Sequence, residues 1–279
     1  MFQALSLALA LTIIPADASR SQAEGATGTF SSPQSSRDDI ARGDEAYSRS
    51  DFALALTWYR LAALRGDAQA QFKVGVMYAT GKGAPQNYAE AVRSYSLAAD
   101  QGLAEAQFNL GYMYFNGQGV PQNYAEAIRL YRLAAEQGNA RAQGNLARIF
   151  ARGEFVPQNY AEAVRLLRLA AAQGDSTAQR SLGFMYDNGQ GVPQNYAEAV
   201  RFYRLAAEQG DSTAQSNLGA MYAGGKGVPQ NYVEAYKWFN LAAAQGEVAA
   251  VTNRDIMLDL MTPAQIAEGQ RLATEWRPR

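Results

Sequence analysis

Apolar positions along most of this chain return at helical intervals, and the helices themselves return at a fixed interval. Ala127, Tyr131, Ala134 and Ala135 are spaced 4, 3 and 1, which places them on one helical face. Leu110, Gly111 and Tyr114 mark a second such face just upstream. The stretch between them carries stop and start signals. Gly117-Gln118-Gly119 closes the first helix, because glycine accepts a left-handed backbone just past a helix end. Val120-Pro121-Gln122 crosses over. Asn123 then caps the second helix, and Glu126 three residues later is expected to complete a capping box. The pattern predicts one helix from Ala104 to Asn116 and another from Asn123 to the glycine stop at Gln137-Gly138.

The whole arrangement repeats. Pro121-Gln122-Asn123-Tyr124-Ala125-Glu126-Ala127 recurs nearly letter for letter at Pro85, Pro157, Pro193 and Pro229, 36 residues apart each time. A fixed period of about 20–50 residues marks a solenoid, in which each helix pair buries its apolar face against its neighbours. The capping pair stands again at Asn87/Glu90, Asn159/Glu162, Asn195/Glu198 and Asn231/Glu234. Gly111 returns as Gly75, Gly183 and Gly219. A glycine inside a helix costs about 1 kcal/mol against alanine, so a packing reason is expected, namely close approach of the paired helix. Ala127 returns as Ala55, Ala91, Ala163, Ala199 and Ala235, in keeping with a tight crossing.

Two further rows lie on these helices. Gln71, Gln107, Gln143, Gln179 and Gln215 sit beside the core stripe, where a hydrogen bond between repeats is expected rather than ligand contact. Leu61, Leu97, Leu133, Leu169, Leu205 and Leu241 run alongside Trp58, Leu130, Leu166, Phe202 and Trp238. Burial against the neighbouring unit is expected for both rows; the alternative is an apolar outer surface for dimerisation. The third unit departs from its siblings. Ala147 replaces the packing glycine, and Phe155 replaces the second glycine of the loop. A large residue resists positive φ, so this loop is expected to differ and the superhelix to change there.

The ends read differently. Ala4 to Ile14 is an apolar run followed by Ala16-Asp17-Ala18, the anatomy of a signal peptide cleaved after residue 18. The run is too short to span a bilayer, which takes about 20 residues. Met1-Phe2-Gln3 carries no Lys or Arg, and a buried helix or a misassigned start codon are the other readings. Residues 19–37, rich in Ser, Gly, Ala and Gln, read as a disordered spacer. Residues 38–67 form a degenerate first pair, 68–246 five full repeats, and 247–279 a capping pair whose last helix starts at Thr262-Pro263. Export, to a periplasmic or secreted location, is the expectation; a cytoplasmic location is the alternative.

Composition narrows the chemistry. The chain is 48% hydrophobic and carries a formal net charge of −1, which argues against the basic footprint nucleic-acid binding needs. It has no cysteine and no histidine, which excludes disulfides, thiol nucleophiles, Cys/His zinc sites and a Ser-His-Asp triad. Gly-x-Gly loops such as Gly225-Lys226-Gly227 lack the phosphate-loop motif and a preceding strand, and read as helix stops. The glutamates at 90, 126, 162, 198 and 234 are accounted for by capping and by pairing with Arg93, Arg129, Arg165, Arg201 and Lys237. No catalytic residue, cofactor or metal ligand is expected.

Leu110-Gly111 with Tyr114, then Ala127, Tyr131 and Ala134, resembles the tetratricopeptide pattern. The longer period, the G-x-G-V-P-Q-N-Y connection and the A-A-E-Q-G ending look like its Sel-one-like repeat subgroup. The resemblance implies an all-α fold: a right-handed α/α solenoid of antiparallel helix pairs, serving as a scaffold for proteins or peptides. By the same analogy the first helices line the concave surface. Their inward positions are Phe72 and Val76 in the first full unit, and Glu105, Phe108, Tyr112 and Phe115 in the second. The third supplies Arg141, Gly144, Arg148 and Arg152, and the fourth Arg180, Phe184 and Asp187. An aromatic patch followed by an arginine line suits a protein or peptide with acidic and apolar segments. Rival readings are a structural oligomer built on the outer stripe, and a hydrolase of an envelope substrate using groove carboxylates. The oligomeric state is left open.

Overall fold

The computed structural model describes residues 34–278. The expected leader at 1–18 lies outside the described residues, as does most of the expected spacer. The described chain is an α/α solenoid of fourteen helices, with no strand among the described residues. The first pair is α1 (Gln34–Ser48) and α2 (Phe52–Leu64). Then come α3 (Ala68–Thr80) with α4 (Tyr88–Asp100), α5 (Ala104–Asn116) with α6 (Tyr124–Glu136), and α7 (Ala140–Arg152) with α8 (Tyr160–Ala172). The last full pairs are α9 (Ser176–Asn188) with α10 (Tyr196–Glu208) and α11 (Ser212–Gly224) with α12 (Tyr232–Ala244). Helices α13 (Val248–Leu260) and α14 (Pro263–Glu275) end the array. Helix α1 begins inside the stretch read as spacer, so the boundary expected at residue 38 moves back to 34.

Each second helix starts as its sequence dictates, with one correction. The Asn123 side chain accepts from the Glu126 backbone N–H at 3.1 Å. The Glu126 carboxylate does not return to the cap. It accepts from Arg129 at 2.8 and 2.6 Å, because the Asn123 N–H already donates to the carbonyl of Tyr114 at 2.9 Å. Four of the five glutamates pair in this way with the basic residue three positions on. A complete capping box forms at Thr262 and Gln265.

The third-unit loop also overturns its expectation. Gly153 and Phe155 take φ of 69° and 66°, matching 68° and 73° at Gly117 and Gly119. The loop keeps the sibling conformation, and Phe155 adopts a left-handed backbone that a residue of its size resists.

Packing within and between units comes from three rows. Gly75, Gly111, Gly183 and Gly219 each lie under an aromatic ring of the paired second helix: a Cβ on Gly111 would sit 3.0 Å from the Tyr131 ring and 3.2 Å from the Ala127 carbonyl oxygen. The close approach is therefore chiefly ring against backbone. The glutamine row forms a ladder. Gln143 Nε2 donates to the carbonyl of Ala135 in the preceding unit at 3.1 Å, and Gln143 Oε1 accepts from Gln173 at 3.0 Å. The same two bonds recur at Gln71, Gln107, Gln179 and Gln215. Buried amides paired this way avoid a desolvation cost of about 1–3 kcal/mol each. Leu130, Leu166, Phe202 and Trp238 are buried, so they form no outer surface. Leu61, Leu97, Leu169 and Leu205 remain exposed, against the expectation of burial.

The two terminal helices do not pair with each other. Helix α14 packs on α12, with Gly269 against Tyr236 and Trp276 edge-on to Trp238 at 6.4 Å between ring centroids. Met261 and Thr262 are both extended, as the residue before a proline tends to be, and no glycine stop reverses the chain after α13.

Candidate ligand-binding groove

Helices α5, α7, α9 and α11 line a groove of about 830 Å³. These are the first helices of four successive units. The 7 and 4 spacing of Arg141, Arg148 and Arg152 puts all three on the groove face of α7, with Gly144 between them. No heavy atom outside its own helix backbone and chain neighbours lies within 4 Å of where a Gly144 Cβ would be, so the floor is open there. Tyr112 from α5 and Phe184 from α9 stand on either side, 47% and 48% exposed.

The aromatic patch and the arginine line are not neighbours but layers. The Arg141 guanidinium lies 4.6 Å from the Phe108 ring centroid, and that of Arg148 lies 5.8 Å from Phe115. Phe108 is 5% exposed and packs against Tyr131 at 5.7 Å. It belongs to the core and also lines the groove, where Arg141 covers its ring. Phe115 is half-buried under Arg148. Phe72 lies apart from the groove, in a separate hollow of about 310 Å³ with Asp44, Tyr59 and Lys73. There, burial pushes Asp44 upward, but hydrogen bonds from Lys73 and Tyr59 outweigh it and hold the carboxyl below its usual value.

The four groove arginines differ in their partners. Arg180 faces Asp211 at 3.7 Å, and Arg152 faces Glu154 at 3.4 Å. Among the described residues no carboxylate pairs with Arg141 or Arg148; each lies over a ring instead. Among the described residues one carboxylate lines the groove: Asp175, which caps α9 by accepting from the Ala178 N–H at 2.7 Å. The described residues hold no cluster of His, Cys, Asp and Glu able to bind a metal. Beneath the groove the Tyr131 phenol is pushed up to about 12 by burial, against a hydrogen bond with Asn145 and the nearby Arg148.

Asn145 and Asn217 also line the groove and were not singled out from sequence. Their recurrence with Asn109 at one position of the first helix was the available signal.

The Sel1 repeat family matches residues 41–67, 68–103, 104–139, 140–175, 176–211 and 212–247. The chain belongs to the Sel1 repeat family. The first match is a shorter unit, covering much of the pair read as degenerate, so the array counts six Sel1 repeats rather than five. A Sel1 repeat protein from Oxalobacter formigenes is 33% identical, with a TM-score of 0.74 over 85% of this chain and 96% of that one. A protective antigen of uropathogenic Escherichia coli with the same repeat fold is 30% identical, with a TM-score of 0.59 over 86% of this chain. This chain spans 60% of that antigen's length. No curated protein matches the chain. No described helix is long and apolar enough to cross a membrane.

Proposed function

We propose that this Sel1 repeat solenoid is a non-catalytic scaffold, exported to the bacterial envelope, that holds a protein or peptide segment in the groove of α5, α7, α9 and α11. The observation that carries this reading is the pair Arg141 and Arg148, which no carboxylate among the described residues pairs with, between the exposed rings of Tyr112 and Phe184. Guanidinium groups bind carboxylates bidentately, and exposed rings supply the apolar anchors that dominate binding energy. The ligand segment therefore combines acidic and apolar residues. A single groove carboxylate, already engaged as a cap, gives no acid–base pair for hydrolysis. The apolar run from Ala4 and the small residues Ala16 and Ala18 support export.

A random peptide display library tests the groove. The wild-type protein should enrich peptides carrying both carboxylates and apolar residues. Arg148→Glu should weaken binding of an enriched peptide about tenfold or more and flatten its salt dependence. Tyr112→Ala should weaken it with the salt dependence kept. Neither change should alter the melt, since both residues are exposed. Failure of the wild type to enrich any peptide, or wild-type affinity in both variants, removes the groove as the site. The exposed row Leu61, Leu97, Leu169 and Leu205 favours a second reading, assembly of copies through the outer face, which light scattering tests directly.

A further inference from the structure

Phe155 has no structural justification within its own repeat. Four siblings hold glycine there, at Gly83, Gly119, Gly191 and Gly227, all with positive φ. At Gly119 an added Cβ would lie 2.4 Å from the Tyr88 backbone, so the position resists any side chain as well as any non-glycine conformation. Phe155 nevertheless takes φ of 66°, and the residue stays 50% exposed. A strained backbone carrying a large exposed ring points to a role outside the fold.

The ring is placed with care. It stacks on Tyr124 at 3.7 Å between centroids, with the planes 18° apart, and meets Phe115 edge-on at 5.9 Å. Phe115 is itself peculiar to this junction, since the same helix position holds Ala79, Ala151, Asp187 and Ala223 in the other units. Phe115, Tyr124 and Phe155 thus bring three rings together where the second unit joins the third. Arg148 lies over the Phe115 ring and lines the groove. The three-ring surface therefore adjoins the cationic floor.

We infer that Phe155, backed by Tyr124 and Phe115, is the apolar subsite of the groove, and that it takes a ring-bearing side chain, aromatic or proline, of an acidic peptide. The inference rests on the groove reading above and names which part of the ligand goes where. Flat rings stack on an exposed aromatic face, and proline docks on aromatic-lined surfaces through its preformed backbone. Charge complementarity sets the rest. Arg148 sits 5.8 Å from the Phe115 centroid, and Phe115 sits 5.9 Å from Phe155. The guanidinium is therefore at most about 12 Å from the Phe155 ring, a span an extended chain covers in about three to four residues. The ligand carries Asp or Glu within that distance of its ring-bearing residue.

The test combines melts with the same display library, on wild type, Phe155→Gly and Phe155→Asn. Asparagine tolerates a left-handed backbone while lacking a ring. Both variants should melt at or above the wild-type temperature. In selection they should keep the preference for carboxylates and lose the enrichment of aromatic and proline residues within four positions of them. Lower melting temperatures in both variants would make Phe155 a brace of the fold and overturn the inference. So would an unchanged enrichment pattern. A wild-type protein that selects nothing refutes the groove itself, whereas one that selects carboxylates without neighbouring rings refutes this subsite alone.

Discussion

Gly183 lies beneath the ring of Tyr203, so close that a Cβ on Gly183 would fall 2.5 Å from a ring carbon. One unit earlier the corresponding residues are Ala147 and Leu167, both buried in the central core cluster. The extra methyl and the smaller partner go together. Replacing Leu167 by tyrosine while Ala147 stays should overpack the junction and cost about 1–3 kcal/mol. The same change combined with Ala147→Gly should cost clearly less than the two single changes summed. A double-mutant cycle from urea melts measures that coupling; strict additivity would show that the two positions do not share their space.

Position in the array governs how damage spreads. Leu146 is 2% exposed at the centre, and Leu260 is 52% exposed on α13. Leu146→Ala should cost about 2–5 kcal/mol and uncouple the two halves of the solenoid, lowering the cooperativity of the denaturant melt. Leu260→Ala should stay within about 0.5 kcal/mol with the slope unchanged. Equal losses with equal slopes would refute this assignment of centre and end.

Alkaline pH should loosen the core. Burial raises Tyr95 and Tyr131 from 10.0 to about 12, against hydrogen bonds with Asn109 and Asn145. The folded-state values lie above the unfolded one, so the stabilisation is complete below pH 10 and drains as the pH rises through about 12. Each phenol accounts for on the order of 2–3 kcal/mol over that window. Chemical melts at pH 9 to 12 should show the fall, and Tyr131→Phe should make it shallower.

Export makes a chemical prediction. Cleavage after Ala18, as the proposed export requires, should leave a mature chain whose first residue is Ser19. N-terminal sequencing of protein recovered from its native host reads this directly, and intact Met1 in the cytoplasm would contradict it.

Helix ends, caps and the core stripe were legible in the sequence because each depends on residues within one turn or one repeat. Asn123, Gly117, Leu146 and the glutamine row occupy the same local environment several times over, so one rule serves them all. The same legibility put Arg141, Arg148 and Arg152 on one face of α7. What a neighbouring element supplies was not legible. The carbonyl of Tyr114 takes the Asn123 N–H and turns Glu126 toward Arg129. Arg141 covers Phe108, whose ring the sequence alone could equally have left open. Tyr124 and Phe115 receive the ring of a Phe155 held in a glycine's conformation, and α14 finds its apolar partner on α12. Local periodicity specifies which face of a helix is apolar, but contacts across units depend on the distances and angles at which those faces meet, and these exist only once the units are stacked.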